Sequence, residues 1–310
     1  MVDEKPKGKK WLKWLIGVIV VLALIWAIMA IVKAKPAAAA ELGGIVSVFT
    51  QDKQDSNVTN VKDNLVRLDL TQAIDKKTSL KIETDLVCGK AVVNEGWINL
   101  KLADKINLKA GKFLLPAGYA SQLSPADQKL VKQPLFGNAY DSGADLIGTA
   151  GPVDYSVALV NGDTKNNTYD FNGKASMNFL PDYKVNAGVS YISGNAGLDN
   201  KKFQTIGIGA TALVSNVALM AEAFQSKDIL DITSKDIYAQ ASMDLKTWEP
   251  VARIERVNPN TDTTDEAVTT TTLGVNIPVY AAKLSINYEM PREGKEINND
   301  RLMAQLLVKF

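Results

Sequence analysis

Residues 282–289 read Ala-Lys-Leu-Ser-Ile-Asn-Tyr-Glu. In an extended chain Ala282, Leu284, Ile286 and Tyr288 share one face, and Lys283, Ser285, Asn287 and Glu289 share the other. Such period-two alternation marks a half-buried strand, because successive side chains of a strand point to opposite sides. The same pattern recurs upstream. Val66, Leu68 and Leu70 alternate with Arg67, Asp69 and Thr71. Leu80, Ile82, Thr84 and Leu86 alternate with Lys81, Glu83 and Asp85. Ile98, Leu100 and Leu102 alternate with Asn99 and Lys101, and Tyr183, Val185, Ala187, Val189 and Tyr191 with Lys184, Asn186, Gly188 and Ser190. From about Ile45 to the C-terminus the chain reads as about 16 strands.

Connection lengths add the topology. Long polar connections fall near 51–63, 88–95, 115–141, 162–168, 194–202, 226–235, 257–266 and 291–300. Tight links such as Ala103-Asp104-Lys105, Leu180-Pro181-Asp182 and Val214-Ser215-Asn216 lie between them, with Pro, Asn and Asp in turn positions. Regular alternation of long and short links predicts an all-β, antiparallel, up-and-down transmembrane barrel with its long loops at one end and both chain ends at the other. A soluble sandwich shares the strand alternation. The membrane reading rests on the loop pattern and on apolar strand faces that carry scarcely a charge, with Trp97, Trp248, Tyr169, Tyr183 and Tyr288 near strand ends, where interfacial girdles lie.

Composition narrows the function classes. The 310 residues include no histidine and one cysteine, Cys88. Without histidine the commonest general base and metal ligand are missing, which argues against an enzyme, and a single thiol forms no intramolecular disulfide or cysteine metal cluster. No cofactor is expected. Gly207-Ile-Gly209 sits inside an alternating strand and reads as close packing rather than a nucleotide turn.

The first 40 residues stand apart. Seven lysines against Asp3 and Glu4 make this segment +5, leaving 28 basic and 32 acidic residues, a net −4, in the remainder. A mildly acidic body without a basic stretch gives no reason to expect a nucleic acid partner. Lysines 5–13, the apolar run Leu15–Val32 and the small residues Ala37–Ala40 follow the order of a signal peptide. Ala38 and Ala40 fit the small-residue cleavage pattern, so residues 1–40 are expected to leave a barrel domain over 41–310. The apolar run also reaches the spanning threshold, so an uncleaved anchor is the alternative. In either case the lysines hold the N-terminus inside and the remainder is exported.

Two stretches carry a family resemblance. Leu302-Met-Ala-Gln-Leu-Leu-Val-Lys-Phe310 resembles the C-terminal insertion signal of bacterial outer-membrane barrels, which implies recognition of Phe310 and its strand by the barrel-assembly machinery. Trp97 through Phe113, running on to Pro116-Ala117-Gly118, is similar to the strand end of phosphate-selective porin O/P-type proteins, and Tyr155–Gly162 to their next upward strand. The resemblance implies an outer-membrane porin, commonly a homotrimer. Ala117 stands where that family commonly has phenylalanine, and no dense arginine ladder appears, so it implies the barrel and not phosphate specificity.

With the apolar face outward toward lipid, the polar face lines a lumen wide enough for water. The candidate pore-lining residues are Arg67, Asp69, Lys81, Glu83, Asp85, Lys101, Lys109, Lys174, Lys184, Glu222, Arg253, Glu255, Lys283 and Arg301, with Asp244 and Glu289 beside them. Their signs nearly balance, which predicts passage of small hydrophilic solutes and ions with weak ion selectivity. Leu115–Asp141 is the longest connection, and Pro116, Pro125, Pro134, Leu130, Val131, Leu135 and Phe136 suit a packed loop. It either constricts the bore, presenting Asp127, Lys129 and Lys132, or covers a subunit contact. The rival functions are a plugged structural or adhesive barrel and an inner-membrane-anchored binding domain.

Overall fold

The computed structural model describes residues 40–53, 56–61, 65–87, 90–132, 139–162, 168–196, 201–263, 267–293 and 299–310. The leader reading, Ala38 included, lies outside the described residues, and Ala40 is the first of them. Cys88, and Pro134, Leu135 and Phe136 of the longest connection, also lie outside them.

The strands are β1 (Glu41–Lys53), β2 (Ser56–Val61), β3 (Leu65–Ala73), β4 (Thr78–Val87), β5 (Lys90–Ala103) and β6 (Ile106–Leu114). Then come β7 (Tyr140–Ala150), β8 (Val153–Asn161), β9 (Tyr169–Leu180), β10 (Val185–Ala196), β11 (Lys201–Val214) and β12 (Val217–Lys227). The chain closes with β13 (Thr233–Met243), β14 (Glu249–Asn258), β15 (Val268–Val279), β16 (Ala282–Arg292) and β17 (Arg301–Lys309). From β3 onward each strand pairs antiparallel with its sequence neighbour, and β1 pairs with β17 from Ile45↔Lys309 to Lys53↔Arg301. Because β2 and β3 both pair with β1, through Gln51↔Asn60 and Ile45↔Arg67, they form two parts of one stave. The result is a closed barrel of 16 staves, in which the first stave pairs with the last and the sheet has no two open ends.

The burial pattern is inverted relative to a soluble core. Ile82, Ile98, Leu100, Val189, Ile208, Ile237, Ile254, Leu273 and Ile286 are exposed on the outer wall, whereas Arg67, Glu83, Asp145, Glu222, Arg253, Glu255, Asn287 and Glu289 are buried inside. No described helix is long and apolar enough to cross a membrane; the strands are the crossing elements available.

Both ends of the described chain lie at the short-turn rim, where Gly44 and Phe310 exchange backbone hydrogen bonds of 2.9 and 3.1 Å. Tight turns there need left-handed backbone at Gly151, Lys184, Ser215, Lys246 and Tyr280.

Several expectations change. The long connection predicted at 51–63 is strand over 51–53 and 56–61, and that at 88–95 is strand from Lys90 onward, because backbone pairing continues through polar residues (Lys53↔Ser56, Val87↔Lys90). Polarity alone therefore overstated both loops. Tyr183 closes a 3-10 turn over Pro181–Tyr183, and β10 starts only at Val185. Trp97 is not in an outer girdle. It pairs with Lys81 and Gly111 on the interior face and packs beside Phe113. The outer face also bears cations at the long-loop rim, Lys235 and Arg256 among them.

Candidate functional site

The interior is built from two walls and one loop. On the first wall, Arg67 of β3 lies between Glu83 and Asp85 of β4. Its Nε and Nη2 donate to the two Asp85 carboxylate oxygens at 2.7 and 2.9 Å, and Nη1 lies 2.8 Å from Glu83 Oε1. Lys81 joins Glu83, at 2.9 Å, to Glu95 of β5, and Glu95 in turn accepts from the Leu114 amide at 3.2 Å. Antiparallel register sets these residues side by side (Arg67↔Asp85, Asp69↔Glu83, Glu83↔Glu95). Alternating charge across neighbouring strands offsets the repulsion that a row of carboxylates would suffer. Asp69 lies on this wall, against the backbone of Gly43.

Beside it, Lys109 sits over the rings of Trp97 and Phe113, 5.2 and 5.6 Å from their centroids. Phe113, Ala158 and Val160 form a fully buried apolar patch, flanked by Trp97 and Leu115, at the point where the chain leaves β6. Asp145 opposes Lys109 across β6 and β7 and accepts from Ser156 Oγ at 2.6 Å.

From that patch residues 115–132 turn into the barrel and lie along the interior face of β9 through β17. Glu222 of β12, 3% exposed, is the first anchor. Its carboxylate accepts from the Tyr119 and Ala120 amides at 2.6 and 2.9 Å and from the hydroxyl of Tyr238 on β13. These amides open the 3-10 turn Ala120–Gln122, whose first N–H groups have no partner within the turn. Lys174 of β9 donates to the Gly118 carbonyl and lies 4.4 Å from the centroid of the Tyr119 ring, and Tyr119 Oη donates to Asn186. Gly118 takes φ +64°, and a Cβ there would collide with Glu222 and Phe224, so this close approach needs glycine.

The second half of the loop is held by side chains that reach its backbone. Lys283 donates to the Ala126 and Gln128 oxygens at 2.7 and 2.8 Å, Asn276 to Lys129 O at 2.9 Å, and Arg253 to Lys132 O at 2.9 Å. Asn287 Oδ1 accepts from the Val131 amide at 2.6 Å. Lys129 pairs with Glu249 at 2.6 Å, Lys132 with Glu289 at 3.4 Å, and Asp127 faces Lys309 at 4.0 Å. Leu130 is buried beneath.

The predicted residues thus separate by role. Arg67, Lys81, Glu83 and Asp85 form one network, whereas Lys174, Glu222, Arg253 and Lys283 hold the loop. Glu255 lies 3.7 Å from Arg253, and Arg301 lies 3.7 Å from Glu289. Lys101 sits near the short-turn rim, paired with Asp104 at 3.0 Å. Lys184 is a correction: it occupies the β9–β10 turn with φ 45° and is exposed there, because the preceding 3-10 turn delays the strand by two residues. Asp244 likewise lies in the β13–β14 turn, accepting from the Lys246 amide. The sequence reading missed Glu95, Asp145, Glu249, Asn276 and Asn287. Glu95 was read as part of the 88–95 connection, and Asn287 as one of the polar face of residues 282–289, but nothing in sequence distinguished any of the five as an anchor.

A hollow of about 390 Å³ opens at the short-turn end between Asp104, Lys105, Asp154, Ser156, Lys174 and Ser176. No group of metal-binding side chains occurs among the described residues.

No family model matches the sequence, and no curated protein matches it. Solved structures do. A loop-deletion mutant of OmpT, an outer membrane protein of Vibrio cholerae, aligns with a TM-score of 0.68 at 12% identity over 88% of this chain and 100% of that one. OmpT in its trimer form aligns at 0.66 with the same identity and coverage. Salmonella typhi OmpF, in complex with daunomycin, gives 0.68 at 9% identity over 88% and 98%. A mutant of Rh. blastica porin gives 0.60 at 12% over 87% and 100%. At such identities the likeness is one of fold, and the fold of this chain is that of the bacterial outer-membrane porins.

Proposed function

We propose that the chain is an outer-membrane porin, a water-filled channel for passive diffusion of small hydrophilic solutes and ions, narrowed by the infolded loop 115–132. The observation that carries this reading is the inversion of polarity, with apolar side chains outside a closed barrel and charged ones within. The loop supplies Asp127, Lys129 and Lys132 to the constriction, and the Arg67–Lys81–Glu83–Asp85–Glu95 network forms the wall it narrows against.

Selectivity in this reading is weak. Lys174, Arg253 and Lys283 spend their donors on loop carbonyls rather than on a solute, and Arg67 and Lys81 are already neutralised by carboxylates. That arrangement does not favour the phosphate specificity of the O/P-type porins. Assembly as a homotrimer, insertion through the β17 signal ending in Phe310, and export by a cleaved leader over residues 1–40 complete the proposal.

The test is single-channel conductance of purified protein in a planar lipid bilayer, with reversal potentials under a salt gradient. Steady discrete steps with a small reversal potential are expected. Silence from protein whose heat-modifiable mobility shows an intact barrel would replace the diffusion reading with a plugged structural barrel. A mature chain beginning with the residues before Ala40 would overturn the cleaved leader.

A further inference from the structure

The outer wall is not uniform around the barrel. On β9 to β13 the outward residues of the central rows are unusually small, and Ala175, Ala187, Ala210, Ala221, Ala223 and Ala239 line an open groove of about 1050 Å³. Its flanks are branched apolar side chains, Val189, Ile208, Ile237 and Ile254, and at its long-loop end stands one cation, Arg256. The groove belongs to the outside: Glu222 and Tyr238, which contribute to its floor, send their side chains inward to the loop.

Arg256 is the last of a row. Lys202 on β11, Lys227 on β12, Lys235 on β13 and Arg256 on β14 each lie within two residues of the long-loop end of their strand and are exposed. The register makes the row continuous. Lys227 opposes Gln204, two residues from Lys202; Lys235 opposes Gln225, two residues from Lys227; and Arg256 opposes Ile237, two residues from Lys235. Diagonal neighbours of this kind stand ~7–8 Å apart, close enough for long cationic side chains to converge on one anion. Lys227 pairs with Asp231 at 3.0 Å. Lys202, Lys235 and Arg256 have no carboxylate partner among the described residues. The carboxylates of this wall, Glu222, Asp236, Glu249 and Glu255, alternate onto the other face of their strands from these cations.

We infer that this face is a binding site for an anionic phospholipid, with its phosphate headgroup on Lys235 and Arg256 and an acyl chain in the alanine-lined groove. The inference rests on the barrel being membrane-inserted. Cations at a strand end alone would be solvated rim charges, and small residues alone a smooth wall. The geometry joins them: the groove is apolar along its length and ends at a guanidinium. A lipid supplies both complements in one molecule, which neither inorganic phosphate nor a second protein surface without carboxylates does.

The probe is phosphatidylglycerol, added to the full-length protein in detergent and counted as bound adducts by native mass spectrometry, with phosphatidylcholine and inorganic phosphate as comparators. Wild type should retain phosphatidylglycerol in preference to phosphatidylcholine, and K235Q/R256Q should weaken it about 30-fold, from roughly fivefold per juxtamembrane cation. Ala223→Phe, which fills the groove and leaves the charges in place, should also lose the adduct. Equal retention by K235Q/R256Q, or by Ala223→Phe, overturns the site. Displacement of the lipid by millimolar phosphate overturns the acyl-chain part. Loss of a homo-oligomer in Ala223→Phe with lipid retained assigns the face to a second copy and overturns the proposal. Conductance and heat-modifiable mobility of the same variants report separately on whether the barrel inserts and conducts, so failure of the lipid site and failure of the porin reading give different results.

Discussion

Replacing Glu222 with alanine should free the first half of the infolded loop. The carboxylate accepts from three donors: the Tyr119 amide at 2.6 Å, the Ala120 amide at 2.9 Å and the Tyr238 hydroxyl. Removing it leaves all three without that partner, at ~1–3 kcal/mol each. Only the two amides belong to the loop, because Tyr238 stands on β13 and its bond to Glu222 is the same whether the loop is docked or released. Water in the lumen can replace part of the loss, so the low end applies and the total for release is about 2 kcal/mol, or roughly a 30-fold rise in the released population of residues 117–123. The second half keeps Lys283, Asn276, Arg253 and Asn287, so the barrel stays folded and the loop is tethered at both ends. Limited chymotrypsin digestion of the folded protein reads this population directly when opening is fast relative to cleavage. Cleavage after Tyr119, within the released stretch, should accelerate by a factor approaching that estimate, and single-channel records should show larger current fluctuations. Glu222→Gln, which retains one acceptor oxygen, should fall between the two. Wild-type cleavage and quiet, unchanged conductance in a Glu222→Ala barrel of normal heat-modifiable mobility would refute the anchoring role.

Three further outcomes are expected. The double change Arg67→Gln and Lys81→Gln leaves Glu83, Asp85 and Glu95 uncompensated on the first wall, so the reversal potential should move toward cation preference; an unchanged potential would remove this network from the conducting path. Leu273→Arg, on the outward face at the middle of β15, should cost about 2–4 kcal/mol of folding free energy in vesicles, a penalty that would be absent if this face met water. Asp75, in the β3–β4 turn, accepts from the Lys77 and Thr78 amides and the Thr78 hydroxyl, which hold its carboxyl below the ordinary aspartate value. A depressed folded value means that its contribution is present above the unfolded pKa and is lost as pH falls through the folded one. The stability difference between wild type and Asp75→Asn should therefore be flat near neutrality and shrink below about pH 4; a difference independent of pH would show that the turn does not use the charge.

The sequence by itself determined the strands, their faces and the parity of the barrel. Alternation such as that of residues 282–289 is local, since the side-chain direction follows from backbone geometry one residue at a time. The long and short connections then ordered the strands without knowledge of any contact. Boundaries were less legible where polar strands rise beyond the apolar band, as at 51–61 and from Lys90, because backbone pairing and not side-chain polarity ends a strand. The placement of Lys184 failed for a similar reason, since a 3-10 turn at Pro181 consumed residues that alternation had assigned to β10.

Only the tertiary structure decided what the interior does. Glu222 and Tyr119 are 103 residues apart, and Asn287 and Val131 are 156 apart. No local pattern relates such positions. The charges that sequence grouped as one set were sorted by closure of the ring into an ion-paired wall on β3 to β5 and a cradle for the loop on β9 to β17. Barrel closure brings distant strands to face one another across the lumen, and a loop folded inward is seated by whichever side chains that closure presents. The groove on the outer wall has the same origin: alanines on five strands form a surface only once register has placed them in neighbouring rows.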